Sequence, residues 1–447
     1  MAGQFNYNTA AESDLLRRTG FTLLAFAVVF SGSARADLPS FDEATFDHGL
    51  FHTNSFNWVN FDSDDALKSF PAMHPEETPN GITPYASERF VYDDNVYRLP
   101  KSSVVSPIGP VASRGDEINT VSAGFDGYAG ASGQGVEVLA RADRNQFSKN
   151  GTLDNTSGSA RVMGDWEIGS ELSGQVGVSY DRQLNDFANY QVYLKDLVSV
   201  KSAFASAHLD MGTLIFDAIG HASEFYHTSD EARFKNNSAQ TSATYLTPGG
   251  TYLSAIYSFR DGRYPLPTFT ENSFLFQANS PFGKTFRFRL AGGYLEHDSA
   301  QTPLYTAVTT YNFSGGIWNA DLAWQPRESF QLMVAGAREV HAYIDAESQY
   351  FVSLAEKVAA QWAPTGKITC ELEFSREDQH FIGPLPTIIS LTLPERNIVY
   401  TRQLNVAWSI VRPVQLVLAY RYLTRSSNAP VLAFDDSFVS ARLQARF

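Results

Sequence analysis

Apolar and polar positions alternate with a period of two along most of this chain, from Ile82 to the C terminus. In one stretch, Val176 and Val178 alternate with Gln175 and Ser179. Successive side chains of a β-strand point to opposite faces, so each such stretch predicts a strand with one apolar and one polar face. The stretches are roughly ten or more residues long, which is the length of a strand that crosses a membrane.

The connections between these stretches alternate between short and long. The short ones carry glycine or proline, which provide the backbone angles of tight hairpins. They centre on Gly133, Gly169, Gly212, Gly249, Gly283, Pro326, Gly366 and Pro413. A soluble β-sandwich has no reason to keep this alternation, whereas an outer-membrane barrel is built this way. The sequence therefore predicts an all-β fold, a transmembrane antiparallel β-barrel of about 18 strands over residues 82–447, with its first strand at 85–92 and its last at 436–447.

The first 81 residues have a different character. Arg17 and Arg18 precede a short apolar run at 21–30, and Ala34 and Ala36 form a small-residue cleavage motif. This pattern predicts a signal peptide over residues 1–36. Residues 37–81 are acidic and aromatic-rich without alternation, and we interpret them as a periplasmic extension. A plug inside the barrel and a disordered leader are the alternatives.

Composition narrows the class of protein further. The net charge of −14 and the lack of a basic run disfavour nucleic acid as a partner. The single cysteine, Cys370, excludes a disulfide-rich secreted scaffold. Aromatic residues make up 13% of the chain, which suits the aromatic girdles of a membrane barrel. We therefore expect a protein of the bacterial outer membrane, surrounded by outer-membrane lipids.

Charged side chains recur on the polar face of the predicted strands, where we expect them to line the lumen. The pore-lining candidates are Asp126, Glu137, Arg141, Asp181, Arg287, Arg289, Glu371, Glu373, Arg421, Arg442, Gln444 and Arg446. Two interpretations stay open for each of them. They line a wet channel that binds hydroxyl-rich solutes, or they form ion-pair networks that hold the barrel wall together.

Two connections share the motif Pro-Leu-Pro-Thr, at residues 265–268 and 384–387. The second lies in a predicted loop over residues 376–396 that is too apolar to extend freely into water. We expect its apolar part either to fold inward as a constriction of the lumen or to meet a partner, because loops on a rigid scaffold often carry function. The constriction candidates are Pro384, Leu385, Pro386, Ile388 and Ile389. Chance similarity between two proline-rich turns is the alternative.

Signatures of catalysis and metal binding are missing from the sequence. It contains no G-x-S-x-G, no H-E-x-x-H and no glycine-rich phosphate loop between a strand and a helix. His48 and His52 have the spacing of two metal ligands on a helix, but no third ligand is evident. We therefore expect no enzyme activity, no catalytic residue, no metal and no cofactor.

Two segments far apart in the chain resemble a known family. They are "SERFVYDDNVYRLP" at 87–100 and "LAYRYLTRSSN" at 418–428. The shared residues are Asp93, Asp94, Asn95, Arg98, Tyr420, Arg421, Tyr422, Arg425, Ser426, Asn428 and the terminal Phe447. Over residues 85–447 the chain resembles the outer-membrane β-barrel family of extracellular polysaccharide gene clusters, including its exosortase-associated members. The resemblance implies a passive conduit for polysaccharide export, with periplasmic export components as partners.

Two other functions are compatible with the same pattern. The barrel could be an uptake porin for small hydrophilic solutes. It could also be a structural or assembly element that docks periplasmic machinery through residues 37–81. Strand alternation indicates which residues face the lumen, and it does not distinguish between the molecules that pass.

Overall fold

A computed structural model describes residues 80–100, 112–131, 134–188, 194–229, 233–263, 268–283, 285–300, 312–342, 350–382 and 395–447. The predicted signal peptide and almost all of the predicted extension lie outside these residues. So do His48, His52, Gly133 and all five constriction candidates between Pro384 and Ile389.

Eighteen strands form in the part of the chain that the structure describes. They are β1 (Gly81–Asp93), β2 (Asp116–Ala131), β3 (Gln134–Phe147), β4 (Asn155–Ile168), β5 (Leu172–Leu184), β6 (Leu197–Asp210), β7 (Leu214–His227), β8 (Arg233–Leu246), β9 (Tyr252–Arg263), β10 (Thr268–Phe282), β11 (Phe286–Ala300), β12 (Phe313–Arg327), β13 (Phe330–Ala342), β14 (Tyr350–Thr365), β15 (Ile368–Ile382), β16 (Arg396–Val411), β17 (Val414–Ser427) and β18 (Phe434–Arg446). Two 3₁₀ turns, Gly151–Leu153 and Pro430–Leu432, lie in connections. Among these residues no helix is long and apolar enough to cross a membrane.

The strands form one closed antiparallel barrel. Each strand pairs with its neighbour in the sequence, and β1 also pairs with β18. That last pairing runs from Tyr85 opposite Arg446 to Asp93 opposite Phe438. The Phe447 amide extends it by donating a hydrogen bond to the Pro84 carbonyl, 2.9 Å away. Closure pairs the free edges of the sheet, and the predicted fold class and strand number are confirmed.

The outer wall of the barrel is apolar. Leu404 in β16 is 42% exposed and Leu443 in β18 is 51% exposed, although both are large apolar side chains. Similar residues on other strands are Phe90, Val121, Val162, Val178, Phe216, Tyr257, Phe276, Leu290, Leu322, Val358, Leu372, Leu418 and Val439. A continuous exposed apolar belt of this extent is unstable in water and is the surface that a barrel presents to hydrocarbon. The barrel is therefore a transmembrane one.

Connections at the two ends of the barrel differ in length. At one end, tight turns join β4 to β5, β6 to β7, β8 to β9 and β10 to β11, and each contains a glycine with a positive φ. These glycines are Gly169, Gly212, Gly250 and Gly283, with φ between 67° and 82°. Only glycine adopts such angles without steric cost. We call this the short-turn end and the other the long-loop end.

The structure differs from the sequence-based prediction between Arg376 and Arg396. The prediction makes this whole segment a loop, but β15 continues to Ile382 and β16 begins at Arg396. The backbone pairing continues through this segment, with Ile382 opposite Tyr350 and His380 opposite Arg396. Charges on the outer wall pair alongside it: Arg396 lies 2.6 Å from Asp378, and Arg376 lies 3.5 Å from Glu356. These charged residues lie at the strand ends, beyond the apolar belt. Their composition is typical of a loop, which is why the sequence predicts one where the backbone is a strand.

The alternation of faces can be tested with two adjacent residues at mid-height in β16. We expect Leu404→Arg to destabilise the barrel by about 2–4 kcal/mol, because it places a charge on the lipid face. We expect Asn405→Arg to change stability little, because Asn405 faces inward and donates a hydrogen bond to Glu371, 3.2 Å away. Urea unfolding in lipid vesicles measures both changes. Equal losses of stability would contradict the assignment of inner and outer faces.

Candidate functional site

The inner wall carries all twelve predicted pore-lining residues. The strand register places each of them on the face opposite the apolar belt. On β18, for example, Arg442 is 8% exposed and Gln444 is 3% exposed, while Leu443 between them faces outward. The remaining candidates follow the same rule in β2, β3, β5, β11, β15 and β17. Their role in passing a solute stays a prediction.

Several of these charges pair with a neighbouring strand. Arg289 lies 2.7 Å from Asp321 on β12, and Glu373 lies 2.6 Å from Lys357 on β14. Such pairs link adjacent strands across the wall. At these positions the structure supports the interpretation that lumen charges hold the wall together. The partners Asp321 and Lys357 were missed from sequence because no local pattern marks a residue on the adjacent strand.

A buried group of charges lies inside the long-loop end, and we call it the mouth cluster. Arg98 is at its centre, 3.0 Å from Asp93, 3.2 Å from Asp436 and 3.5 Å from Asp186. Arg421 also contacts Asp436, at 3.4 Å. The Arg98 side chain is 8% exposed and that of Asp436 is fully buried. Buried charges are stable only when paired, so the five residues depend on one another.

Electrostatics fix the charge of Arg98. Burial alone would lower the pKa of its guanidinium, but Asp93, Asp186 and Asp436 hold that pKa above its ordinary value. Arg98 therefore stays positively charged at neutral pH. Carboxylates of Asp93, Asp94 and Asp436 approach one another within 4.8 Å, as metal ligands would. The guanidinium of Arg98 already supplies positive charge there, so we assign no metal to the group.

The backbone that holds Arg98 is strained. Its φ is 54°, and it is the one non-glycine residue with a positive φ among those that the structure describes. The Asn95 side chain fixes this turn: its amide donates to the carbonyls of Leu99 at 3.0 Å and Asp435 at 2.7 Å. Its oxygen accepts from the Leu99 amide at 2.8 Å. Left-handed backbone at a non-glycine residue persists only where surrounding contacts over-determine it.

Residues 185–188, which follow β5, reach across the mouth, and we call them the crossing loop. The Phe187 ring packs 4.9 Å from the Tyr97 ring. Ala188 packs in one apolar cluster on the inner wall with Val399, Leu423 and Phe434. These last residues belong to β16, β17 and β18, which are separated from β5 around the barrel by β1 to β4. The crossing loop therefore narrows the lumen, at a place that the sequence did not predict.

The base of the crossing loop is tied to the start of β6 by Asp196. Its carboxylate lies 2.8 Å from Nδ1 of His227 and 3.1 Å from the Asn185 amide, and it accepts backbone hydrogen bonds from Thr228 and Ser229. Burial alone would raise the pKa of Asp196, but these hydrogen bonds from His227 and Ser229 lower it below its ordinary value. The ionised carboxylate thus holds the two loop ends together.

A second buried polar group lies on the inner wall of β9, β10 and β11. Glu271 contacts Arg260 at 3.0 Å and His297 at 2.9 Å. The His297 ring lies between the rings of Phe269 and Tyr350, with centroids 4.9 and 4.6 Å away. Sequence reasoning missed it because its members come from strands that only the register aligns.

No family model matches the chain, and no curated protein sequence matches it. Among solved structures, it is similar to OccK9 (OpdG) of Pseudomonas aeruginosa, with a TM-score of 0.46 and 10% identity over 82% of this chain and 98% of that one. It is also similar to a BenF-like porin of Pseudomonas fluorescens Pf-5 (0.47, 9%, 82% and 98%) and to the siderophore receptor PirA of Acinetobacter baumannii (0.45, 8%, 82% and 81%). The architecture of this chain, a closed transmembrane barrel with a charged inner wall, is assigned from its own strand pairing.

The mouth cluster can be tested by removing its central charge. We expect Arg98→Gln to destabilise the protein by about 3–5 kcal/mol, because it leaves buried Asp93 without Arg98 and buried Asp436 with Arg421 as its remaining cation. Arg412→Gln, at an exposed arginine in a short turn, is the control and should change stability by less than about 0.5 kcal/mol. Urea unfolding in lipid vesicles measures the difference. A small effect of Arg98→Gln would mean that the cluster does not support the mouth.

Asp196 gives the mouth a defined dependence on pH. Because its folded pKa is lowered, its contribution is fully present above the unfolded value of about 3.9 and is lost as pH falls through the folded value. We expect Asp196→Asn to be less stable than the natural protein at pH 7, and this difference in stability to narrow as the pH falls below about 4. Thermal unfolding of both proteins between pH 7 and pH 3 checks this. A gap that does not change with pH would exclude an ionised Asp196 as its cause.

Proposed function

We propose that this protein is a bacterial outer-membrane channel that passes an extracellular polysaccharide out of the cell by passive movement. One observation carries the proposal: a closed ring of eighteen strands has an apolar outer wall and a charged inner wall. Barrels of about eight strands are filled by their own side chains, whereas barrels of 16–18 strands leave an aqueous channel. The short-turn end then faces the periplasm and the long-loop end the outside.

The mechanism involves no bond formation or cleavage. A saccharide carries many hydroxyl groups, which lose hydrogen bonds to water when the molecule enters a narrow passage. Half-buried inner-wall residues such as Gln403 and Asn405 offer replacement hydrogen bonds along the route. A wall of this kind lowers the cost of desolvation without holding the cargo tightly, as conduction requires.

The choice of polysaccharide as cargo is supported by the placement of the residues that carry the family resemblance. Asp93, Asn95, Arg98 and Arg421 come from opposite ends of the barrel sequence, yet all of them lie at the mouth. They form one structural unit on the route that a polymer would follow. Periplasmic export components are the partners that this function implies, with residues 37–81 as the proposed docking segment.

The crossing loop favours a second candidate, an uptake porin for small hydrophilic solutes. Phe187 and Ala188 cross part of the mouth and pack against its far wall. A mouth narrowed in this way suits a small solute, and a polymer would pass only as a single extended chain. The two candidates share the channel and differ in the direction and size of the cargo.

Conduction is the first test of the channel. We expect the purified protein to conduct ions when inserted into a planar lipid bilayer, because its circumference exceeds what side chains can fill. Opening the mouth with Phe187→Ser should raise the conductance, since it removes the ring packed on Tyr97. A barrel that inserts and does not conduct, with or without this change, would favour a structural or assembly role.

The cargo is tested in cells that lack the gene. Export predicts that extracellular polymer is lost while polymer stays in the periplasm or its synthesis stalls, and that the natural gene restores secretion. Normal extracellular polymer together with poor growth on a small hydrophilic solute would identify the uptake porin instead.

A further inference from the structure

Three basic side chains lie close together on the outer wall of the barrel at its long-loop end, and we call them the outer basic patch. They are Arg144 on β3, Arg182 on β5 and Lys201 on β6. All three are exposed, and each faces the same side as the apolar belt residues of its own strand. In a chain whose net charge is −14, they form a local excess of positive charge on the outer wall.

The strand register brings the patch together. In the pairing of β5 with β6, Lys201 lies diagonally beside Arg182, about 7–8 Å away. Strand β4 separates Arg144 from Arg182, and it places only Thr156 and Gly158 opposite them. Since neighbouring strands are about 4.8 Å apart, the two arginine backbones are about 10 Å apart across the sheet. Their long side chains can therefore reach one group bound between them.

The height of the patch matches the edge of the hydrocarbon. On the outer face of β5, Val176 and Val178 are followed by Tyr180 and then by Arg182. Val178 is 56% exposed and belongs to the apolar belt, and Tyr180 is 39% exposed. Outward aromatic residues mark the interface between hydrocarbon and headgroups. Arg182 lies one outward position beyond that interface, at the level of the headgroups.

The three cations do not hold the wall together. Within the described ranges, none of them forms an ion pair or a side-chain hydrogen bond with another residue. The outer wall of β14 to β16 is different, because Arg376 lies 3.5 Å from Glu356 and Arg396 lies 2.6 Å from Asp378. Outer-wall charges are thus balanced within the protein on that side of the barrel, and the patch is not.

Two carboxylates lie near the patch without neutralising it. Glu224 is opposite Lys201, but its ion pair is with Lys235, at 4.0 Å. Asp154, in the connection before β4, accepts a hydrogen bond from the Phe147 amide at 2.7 Å. With Lys235 included, four cations face two carboxylates, so the two arginines stay available for an anion from outside the protein.

The chemistry of the patch indicates a phosphate on a lipid. Guanidinium groups present planar forks of N–H donors that match phosphate oxygens, and an ammonium group adds a point charge. The anions at this height around a barrel are lipid headgroups. Acyl chains of such a lipid lie against exposed belt residues below the patch, such as Val162 and Val178. Its phosphate is therefore kept beside the wall by its own tails, which a free phosphate lacks.

We propose that the outer basic patch binds the phosphate of an anionic lipid in the leaflet at the long-loop end. The bound lipid stays on β3 to β6 while its neighbours in the leaflet exchange. This site is outside the lumen and depends only on the transmembrane barrel. It therefore applies equally to an exporter and to an uptake porin.

The test titrates the purified full-length barrel in detergent with phosphatidic acid or with phosphatidylcholine of the same acyl chains. The first has an open phosphate monoester, whereas choline balances the phosphate of the second with its own cation. Native mass spectrometry counts the lipids bound to each barrel. We expect phosphatidic acid to bind about tenfold more tightly than phosphatidylcholine. Equal binding of the two lipids would overturn the proposal.

Arg182→Gln should weaken the binding of phosphatidic acid about five- to tenfold, because it removes a charge-assisted hydrogen-bonding partner. Arg144→Gln should have a similar effect and replaces Arg182→Gln if that variant fails to fold. Arg376→Gln is the matched control, since it removes an outer-wall arginine that already has Glu356 as its partner. We expect it to leave lipid binding unchanged. Equal weakening by Arg182→Gln and Arg376→Gln would mean a general effect of surface charge and would overturn the patch.

A competition experiment distinguishes a lipid from free phosphate. Inorganic phosphate at the same concentration as phosphatidic acid should leave the lipid bound, because it has no acyl chains to hold it at the wall. Displacement of the lipid by inorganic phosphate would contradict a lipid site and assign the patch to a soluble anion.

Discussion

The rest of this structure depends on one constraint, that no backbone amide or carbonyl can stay unpaired inside hydrocarbon. An open sheet of such strands would expose two free edges, at a cost of several kcal/mol for each unpaired group. Pairing of β1 with β18 removes both edges. The alternation of faces, the apolar belt and the enclosed lumen all follow once the sheet has closed on itself.

Closure and the mouth are parts of one arrangement. The turn after β1 holds β18 through its backbone: the Ser437 amide donates to the Asp94 carboxylate at 2.7 Å, and Asn95 donates to the Asp435 carbonyl at 2.7 Å. The mouth cluster then links the same two strands to the crossing loop through Arg98. Residues that complete the wall therefore also determine how wide its opening is.

Sequence alone could predict the barrel because alternation and turn chemistry are local. Leu443 and Arg442 show the two faces of β18 directly, and the glycine turns mark strand ends at the short-turn end of the barrel. The mouth is different, because Asp186 and Asp436 acquire their role only by meeting Arg98 in space. Phe187 lies in a polar connection with no pattern of its own. Contacts between strands that are distant around the barrel give no periodic pattern in the sequence, so only the structure shows the crossing loop.

Closure also determines the order in which the parts of the barrel assemble. Asn95 and Asp435, which join the first turn to the last strand, are 340 positions apart. Contacts between distant positions form late, because ordering the intervening chain costs entropy before they can form. The barrel thus cannot close until its C-terminal strand has been made and delivered, and until then the edges of β1 and β17 are open to foreign strands. Pairing of the C-terminal strand with β1 is therefore the last step of barrel assembly. A chain truncated before β18 keeps two unpaired strand edges, and it aggregates instead of forming a smaller pore.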